Sequence, residues 1–522
     1  MSWIQNVGKY SGYVAKNYVL KTPKELCNHT LNKEINNIFK NPPTIMSVVN
    51  GNFINSNINH SYNSPCYNHK KIFEYNYLLN GNQSFDDLFE QYETAKNAWK
   101  KISPEKKFEI FENIADLVEN KYFYKMMAAT MVGQGKNKLE AELDSIAETV
   151  DFLRFNIEYA SKIYKKQPRG FEDKINYSQY MPLQGKVCAI TPFNFTAIGA
   201  NLSTAPLYFG NVVFWKPSEK SLLSNWLYYN ICLEANVPPE VLNFVIMQPD
   251  YSIDRLIKKN TGGILFTGST DVFKNIYSSV NNSKLFPRII GETGGKNFHF
   301  IEESANIADA AQKTYLSAFN YSGQKCSACS IVYVPETKYN EFIFEMRHAN
   351  EKYDFENYGL IDKQAYSRTT KILDNCKNNK NLELIMGGNY HNKETYFVEP
   401  TVFKINKDEN IYIKTKELFA PVLLVKTYEF IDLFKMIHEC SEISDYKLTG
   451  SFFSKDEKLI DYASTVFENS CGNYYINDKS TGSVVGNQPF GGFGLSGTND
   501  KAGDINMLYR LFNQRNIKVG KD

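Results

Sequence analysis

Hydrophobic spacing changes character along the chain. Leu139, Leu143, Ile146, Val150, Leu153 and Ile157 recur at gaps of four and three, the period of a helix with one apolar face. A long helix with a single core-facing stripe is expected there. From Lys186 the pattern becomes short unbroken apolar runs at 187–190, 212–215, 244–246 and 264–266, separated by helical lengths. Such runs read as strands buried on both faces, and their spacing predicts a doubly wound parallel sheet whose ligand crevice lies beyond the carboxyl ends of its strands. A second alternating set starts at Asn297 and continues past Val334, Val422 and Tyr475, predicting a further α/β domain.

Local signals add detail nearer the N terminus. Asn50-Gly51 lies between Ile45-Met46-Ser47-Val48-Val49 and Phe53-Ile54, and both turn residues tolerate positive φ, so a hairpin is expected. Ser84 with Asp87 reads as a capping box for a helix through Trp99, and Ser103 followed by Pro104 as the start of a second helix. The Asn- and Lys-rich stretch 375–381 suits a surface loop or a helix end.

A chain of 522 residues with 43% hydrophobic content suits two or three domains. The net charge of +2 lacks the electrostatic footprint of a nucleic-acid binder and favours small-molecule partners. No apolar run reaches the length of a membrane span. Nine scattered cysteines point to a reducing compartment. Residues 1–24 hold Lys9, Lys16, Lys21 and Lys24 with no acid and no arginine, as a mitochondrial presequence or a loosely docked tail would.

The candidate chemistry rests on a carboxylate and a thiol. Glu292 stands in Gly291-Glu292-Thr293-Gly294-Gly295-Lys296-Asn297, and Cys326 in Gly323-Gln324-Lys325-Cys326-Ser327-Ala328-Cys329. A thiolate adds to a carbonyl carbon, and a carboxylate then activates water against the thioester, so the pair suits oxidation of an aldehyde to an acid. Taken alone, Cys326 could also be a packing residue, one half of a C-x-x-C redox or metal site, or a protease nucleophile. No second C-x-x-C and no H-x₃₋₅-H spacing among the seven histidines supports zinc, so no metal is expected. Asn194, in Thr191-Pro192-Phe193-Asn194-Phe195 just after a strand, is the candidate donor to the oxyanion, together with the Cys326 amide. Gly268-Ser269 follows the run 264–266 and should open a helix whose free N–H groups suit a pyrophosphate, although such a turn is often only a turn. Lys216 and Glu219 end the run 212–215, where a lysine can bond ribose hydroxyls and a carboxylate would repel a 2′-phosphate.

With these words in view, the sequence resembles the aldehyde dehydrogenase superfamily. Thr130-Met131-Val132-Gly133-Gln134-Gly135-Lys136, Phe193-Asn194-Phe195-Thr196-Ala197-Ile198-Gly199, Asn477-Asp478-Lys479-Ser480-Thr481-Gly482-Ser483 and Gly497-Thr498-Asn499-Asp500-Lys501 resemble its glutamate-semialdehyde branch, the Δ1-pyrroline-5-carboxylate dehydrogenases. The resemblance implies an α/β fold with a doubly wound cofactor domain, an α/β catalytic domain and a small β oligomerisation flap. It implies NAD as cofactor, homodimers or larger assemblies, and oxidation of L-glutamate γ-semialdehyde to L-glutamate in proline catabolism. Cys326, Glu292 and Asn194 match the catalytic positions. Lys216, Glu219, Gly268, Ser269, Glu417 and Phe419 match positions around the cofactor, with Ala420 replacing a usual glycine. For the substrate, Ser327, Gly482 and Ser483 match the carboxylate anchor, where a Thr-Gly-Ser turn offers a small nest of donors. Phe195 and Phe490 match its aromatic walls, and Glu142 matches a glutamate near the substrate.

Two departures stand out: Ile331 where an arginine is common, and Phe493-Gly494-Leu495 in place of Ala-Arg-Ala. The organisation expected is a tail over 1–34, a cofactor domain over 35–163 and 184–291, a catalytic domain over 292–504, and oligomerisation elements at 164–183 and 505–522. A mitochondrial location is expected, otherwise a cytoplasmic one. The alternatives are a dehydrogenase of another semialdehyde and a non-catalytic binding protein on the same fold. A CoA-acylating enzyme is disfavoured because Glu292 supplies a hydrolytic base.

Overall fold

Two seven-stranded sheets carry the architecture. The computed structural model describes all residues except 1–13, 23–24, 55–59, 79–87, 171–173, 249–254, 258–259, 282–284, 354–358, 410 and 521–522. In the first sheet the strands run in the order Arg288–Glu292, Thr261–Thr267, Lys186–Thr191, Val213–Pro217, Leu242–Phe244, Ser47–Val49 and Asn52–Ile54. The first five are mutually parallel. Their apolar runs are buried because helices cover both faces. The chain leaves Lys186–Thr191 toward one edge and returns at Thr261–Thr267 on the other side, so the topological switch, and with it the ligand crevice, lies at Thr191 and Thr267. The Asn50-Gly51 hairpin forms as expected, with φ of 49° and 78° at its two turn residues.

The second sheet runs Leu382–Met386, Thr401–Ile405, Val422–Tyr428, Cys329–Pro335, Asn297–Ile301, Thr449–Phe453 and Asn473–Ile476, parallel except for its first strand. Ile331 is fully buried in this sheet, so the position where an arginine is common is here a core residue. Lys174–Met181 pairs antiparallel with Asn513–Gly520 to form a separate two-stranded ribbon.

Several expectations are corrected. Ser103 does cap the helix Pro104–Asp116, accepting from Lys106 N, but the Ser84/Asp87 box lies outside the described residues and the helix ending at Trp99 is seen from Glu93. The stripe from Leu139 to Ile157 is not one buried face: Ile146, Val150, Leu153 and Ile157 are buried, whereas Leu139 and Leu143 are 53% and 38% exposed. Residues Leu143–Glu148 form wide i→i+5 turns between the helices Lys138–Glu142 and Thr149–Lys165, and the extra residue per turn rotates the early leucines off the core face.

Both chain ends also reach further into the body than expected. Leu31 and Ile35 of the helix Asn28–Lys40 join the core beneath the first sheet, so residues 28–34 are not tail. At the other end Met507, Leu508, Leu511 and Phe512 join that same core, leaving only Asn513–Gly520 for the ribbon. Ahead of this helix, residues 15–21 lie along acidic side chains: the main-chain N–H groups of Ala15, Tyr18 and Lys21 donate to Glu158, Asp151 and Glu142 at 2.8, 2.6 and 2.7 Å.

Candidate active site

The carboxyl edge of the first sheet gathers Asn194, Lys216, Gly268-Ser269 and Glu292 because each lies at or just after the carboxyl end of a parallel strand. Lys186–Thr191 delivers Asn194, Val213–Pro217 carries Lys216, Thr261–Thr267 is followed by Gly268-Ser269, and Arg288–Glu292 ends on Glu292. Ser269 caps the helix Thr270–Val280 through Val272 N, and Gly268 N donates to the Glu292 carbonyl at 3.1 Å, which ties the phosphate-type turn to the strand bearing the carboxylate.

The nucleophile loop comes from the other sheet. Before it, Tyr321, Ser322 and Gly323 all hold positive φ, a strained run that reverses the chain just ahead of the thiol. Asn194 is buried, and its Nδ2 donates to Gln324 O at 3.0 Å, so the candidate oxyanion donor reaches across to the loop of Cys326. Asn297 Nδ2 donates to Cys326 O and Ala328 O at 2.7 and 2.9 Å, and its Oδ1 accepts from Thr449 N. This clamp on the Cys326 backbone was not singled out in the sequence, although Asn297 lies in the same word as Glu292. Cys329 is turned into the core with its thiol on Ile331 O and is not bonded to Cys326, so the two do not form a disulfide.

Electrostatics brings thiol and base together. Burial pushes the Cys326 thiol up to about 12, and the nearby carboxylates of Glu292 and Glu417 push in the same direction. Backbone hydrogen bonds at Cys326 and Ser327 oppose that rise without cancelling it. Burial likewise holds Glu292 well above the usual carboxylate range, with Asp500 adding to the rise and Lys501 and a bond from Gly492 opposing it. Lys501 closes the run Gly497-Thr498-Asn499-Asp500-Lys501, and nothing local in the sequence ties it to Glu292. Its ammonium donates to Gly472 O and Gly491 O at 2.7 and 2.8 Å and to Asn473 Oδ1 at 3.3 Å. A methyl placed on Gly491 would lie 2.7 Å from Glu292 Oε1, so that glycine lets the carboxylate approach the Lys501 cradle.

Of the cofactor candidates, Lys216, Glu219, Gly268 and Ser269 belong to the first sheet's carboxyl edge, and Glu417 and Phe419 to the loop before Val422–Tyr428 of the second. Lys216 is 8% exposed, and burial lowers it to about 8, opposed by Glu219. Among the described residues no ion pair takes its ammonium, which fits a group bearing sugar hydroxyls. Glu219 is held by the Tyr77 hydroxyl, a partner with no local signal because it lies on the segment after the N-terminal strands. Glu417 accepts from Gly295 N at 2.9 Å and is raised by burial to about 7. Phe419 has φ of 54° and packs edge-on against Phe193, and the Ala420 methyl belongs to the core under the second sheet.

On the substrate side, Ser327 is buried and its carbonyl accepts from Ser480 Oγ at 3.0 Å, so Ser480 links the nucleophile loop to the 477–483 loop. The expected nest is turned inward: Gly482 N donates to Lys479 O at 3.1 Å and Ser483 Oγ to Gln488 O at 2.9 Å. Phe195 lies half-buried at the start of the helix Thr196–Thr204, and the backbone of Phe490 pairs with Ala502. Glu142 is fully buried rather than on an exposed helix face, and it accepts from Lys21 N and the Tyr18 hydroxyl.

A family model described as "Aldehyde dehydrogenase family" matches residues 61–517, most of the chain. The chain belongs to the aldehyde dehydrogenase family. Among curated relatives of this aldehyde dehydrogenase, the mitochondrial delta-1-pyrroline-5-carboxylate dehydrogenase of Emericella nidulans is 41% identical over 443 residues, covering 81% of this chain and 77% of that protein. A probable delta-1-pyrroline-5-carboxylate dehydrogenase of Schizosaccharomyces pombe is 38% identical, covering 91% and 90%. The crystal structure of the Delta-pyrroline-5-carboxylate dehydrogenase from Mycobacterium tuberculosis superposes with a TM-score of 0.90 at 32% identity, covering 98% of this chain and 96% of that one. The same enzyme bound with NAD superposes at 0.89.

In an aldehyde dehydrogenase with this arrangement, the rate that needs anionic Glu292 rises with pH through the raised carboxyl pKa. Lys501→Met removes the cation that opposes that rise, so the acid limb of kcat against pH is expected to move to higher pH, and Lys501→Arg to restore it. An unmoved limb in Lys501→Met would show that the ammonium serves only the backbone carbonyls it touches.

Proposed function

We propose that this chain oxidises L-glutamate γ-semialdehyde, the open form of Δ1-pyrroline-5-carboxylate, to L-glutamate with NAD in proline catabolism. The observation that supports this most directly is that Glu292 and Asn194, from strand ends of the first sheet, meet the Cys326 loop of the second, in a family member whose relatives are named for that reaction. Cys326 Sγ adds to the aldehyde carbon as its proton passes to Glu292, and Asn194 Nδ2–H with the Cys326 N–H holds the oxyanion. Lys216, Glu219, Gly268, Ser269, Glu417 and Phe419 would hold NAD, whose chemistry here is hydride acceptance. After releasing the thiol proton to solvent, Glu292 is a carboxylate again and draws a proton from water as that water opens the thioester, freeing the acid and the Cys326 sulfur. Ser327, Gly482 and Ser483 receive the substrate carboxylate once the inward bonds of the loop exchange for it, with Phe195 and Phe490 along the aliphatic chain.

The relatives' mitochondrial naming extends by this reading to the present chain, with the matrix as its location. The ribbon of Lys174–Met181 and Asn513–Gly520 serves homodimerisation: two strands alone are marginal in water, and most of the second strand is exposed. Steady-state NADH formation across an aldehyde panel tests the assignment. Δ1-pyrroline-5-carboxylate should give the highest kcat/KM, and NADP should be poorer than NAD by about tenfold or more, because Glu219 faces the added phosphate. Faster turnover of succinate semialdehyde or simple alkanals would replace the substrate named here.

A further inference from the structure

The word Thr130-Met131-Val132-Gly133-Gln134-Gly135-Lys136 is part of the family resemblance, yet none of its residues enters the chemistry above. The structure gives it work. The helix Phe123–Gln134 ends at Gly135, whose φ of 74° turns the chain and sends Lys136 inward. Lys136 Nζ pairs with Asp144 Oδ2 at 2.8 Å, and both side chains are 1% exposed. A pair removed so fully from water loses much of its Coulomb gain to desolvation unless the remaining oxygens and protons find partners.

Those partners lie in the oxyanion loop. Asp144 Oδ2 accepts from Thr196 N and Oδ1 from Ala197 N, both at 2.9 Å. They are the first N–H groups of the helix Thr196–Thr204, whose cap residue is Phe195 and makes no side-chain cap of its own. A carboxylate from a distant helix therefore fills the capping position and meets the positive end of the helix dipole. Lys136 Nζ lies 4.0 Å from the centre of the Phe195 ring. Gln134 completes the grip: its Nε2 donates to Phe193 O at 2.6 Å and its Oε1 accepts from the Thr196 hydroxyl at 2.9 Å. The Gln134 carbonyl also accepts from the Tyr321 hydroxyl at 2.6 Å, at the start of the nucleophile loop. Both neighbours of Asn194 are thus fixed from one side, while its carboxamide reaches the other way to Gln324 O.

We propose that Gln134, Lys136 and Asp144 are positioning residues that set the oxyanion donor Asn194 against the Cys326 loop, with Asp144 acting as a cap supplied in trans to the helix behind Asn194. The inference rests on the role of Asn194 given above and is independent of which aldehyde is the substrate. Catalytic groups must be held closely, and a misplacement of about 1 Å costs on the order of 10²-fold in rate.

The test is a double-mutant cycle on the full-length enzyme, using whichever aldehyde the panel turns over best. Asp144→Asn keeps the size and removes the charge. It should lower kcat by about 10- to 100-fold while leaving the aldehyde KM and the Kd for NAD within about twofold. In an Asn194→Ala background the same substitution should lower kcat hardly at all, because the group it positions is gone. Gln134→Met, which leaves no buried charge unpaired, should show the same dependence on Asn194 with a smaller effect, and it serves if Asp144→Asn does not fold. Equal losses in both backgrounds would overturn the proposal, as would loss of NAD binding in step with kcat, or failure of both variants to fold. An Asn194→Ala enzyme with undiminished kcat would instead remove the role of Asn194 on which the inference rests.

Discussion

Cys326→Ser is expected to lower NADH formation by about 10⁴-fold or more while NAD binding stays intact. A serine hydroxyl in place of the thiol is a far weaker nucleophile at the same position, and removal of a covalent nucleophile forfeits the whole pathway through its intermediate. The site offers no compensation: burial and the two nearby carboxylates that push the thiol up to about 12 would oppose ionisation of a hydroxyl even more. The cofactor candidates Lys216, Glu219 and Gly268 hang from strand ends of the first sheet, whereas Cys326 belongs to the loop before Cys329–Pro335 of the second. Calorimetric titration with NAD should therefore match the unsubstituted enzyme. Turnover near the original rate would eliminate Cys326 as the attacking group.

Glu292→Gln should separate the two halves of the reaction. The amide cannot draw a proton from water, so deacylation should slow by about 10²- to 10⁴-fold. The hydride step also slows to the extent that Glu292 receives the thiol proton. Rapid mixing with the aldehyde and NAD should show at most one equivalent of NADH per site, followed by a slow steady state, with the acyl adduct on Cys326 visible by mass spectrometry of the denatured protein. A linear time course without adduct would mean that the first step is blocked, assigning Glu292 chiefly to thiol deprotonation. Undiminished steady-state turnover would remove it from both steps.

What could be read in the sequence was local. Strands buried on both faces declare themselves by unbroken apolar runs, and Asn50-Gly51 by the φ values its residues tolerate. Glu292, Cys326 and Asn194 were visible because each stands in a distinctive word at a strand end or loop, and the structure brings the first two into mutual electrostatic reach and the third onto the Cys326 loop. What was not visible depends on contacts between distant segments. Phe195 reads as an uncapped helix start, and nothing near it announces that Asp144, 52 residues before Thr196, supplies the cap. Tyr77 on Glu219 and Lys501 beside Glu292 are hidden for the same reason. Periodicity misled at Leu139 and Leu143 because it assumes a constant residue count per turn, which the wide turns at Leu143–Glu148 break. The Gly482 N–H and the Ser483 hydroxyl were expected to face a ligand and are bonded inside their own loop, since a turn rich in polar groups satisfies itself where it can.

The segment ahead of the first helix is fastened through the peptide backbone at every third residue, by Glu158, Asp151 and Glu142. Main-chain donors ask only that proline, which has no N–H to give, be kept from Ala15, Tyr18 and Lys21, while the Asn17 carboxamide on Asp151 and the Tyr18 hydroxyl on Glu142 add the side-chain part of the fastening. The constraint falls on the acids of the receiving helices, so kinship in this region should be sought in what the strap lies upon.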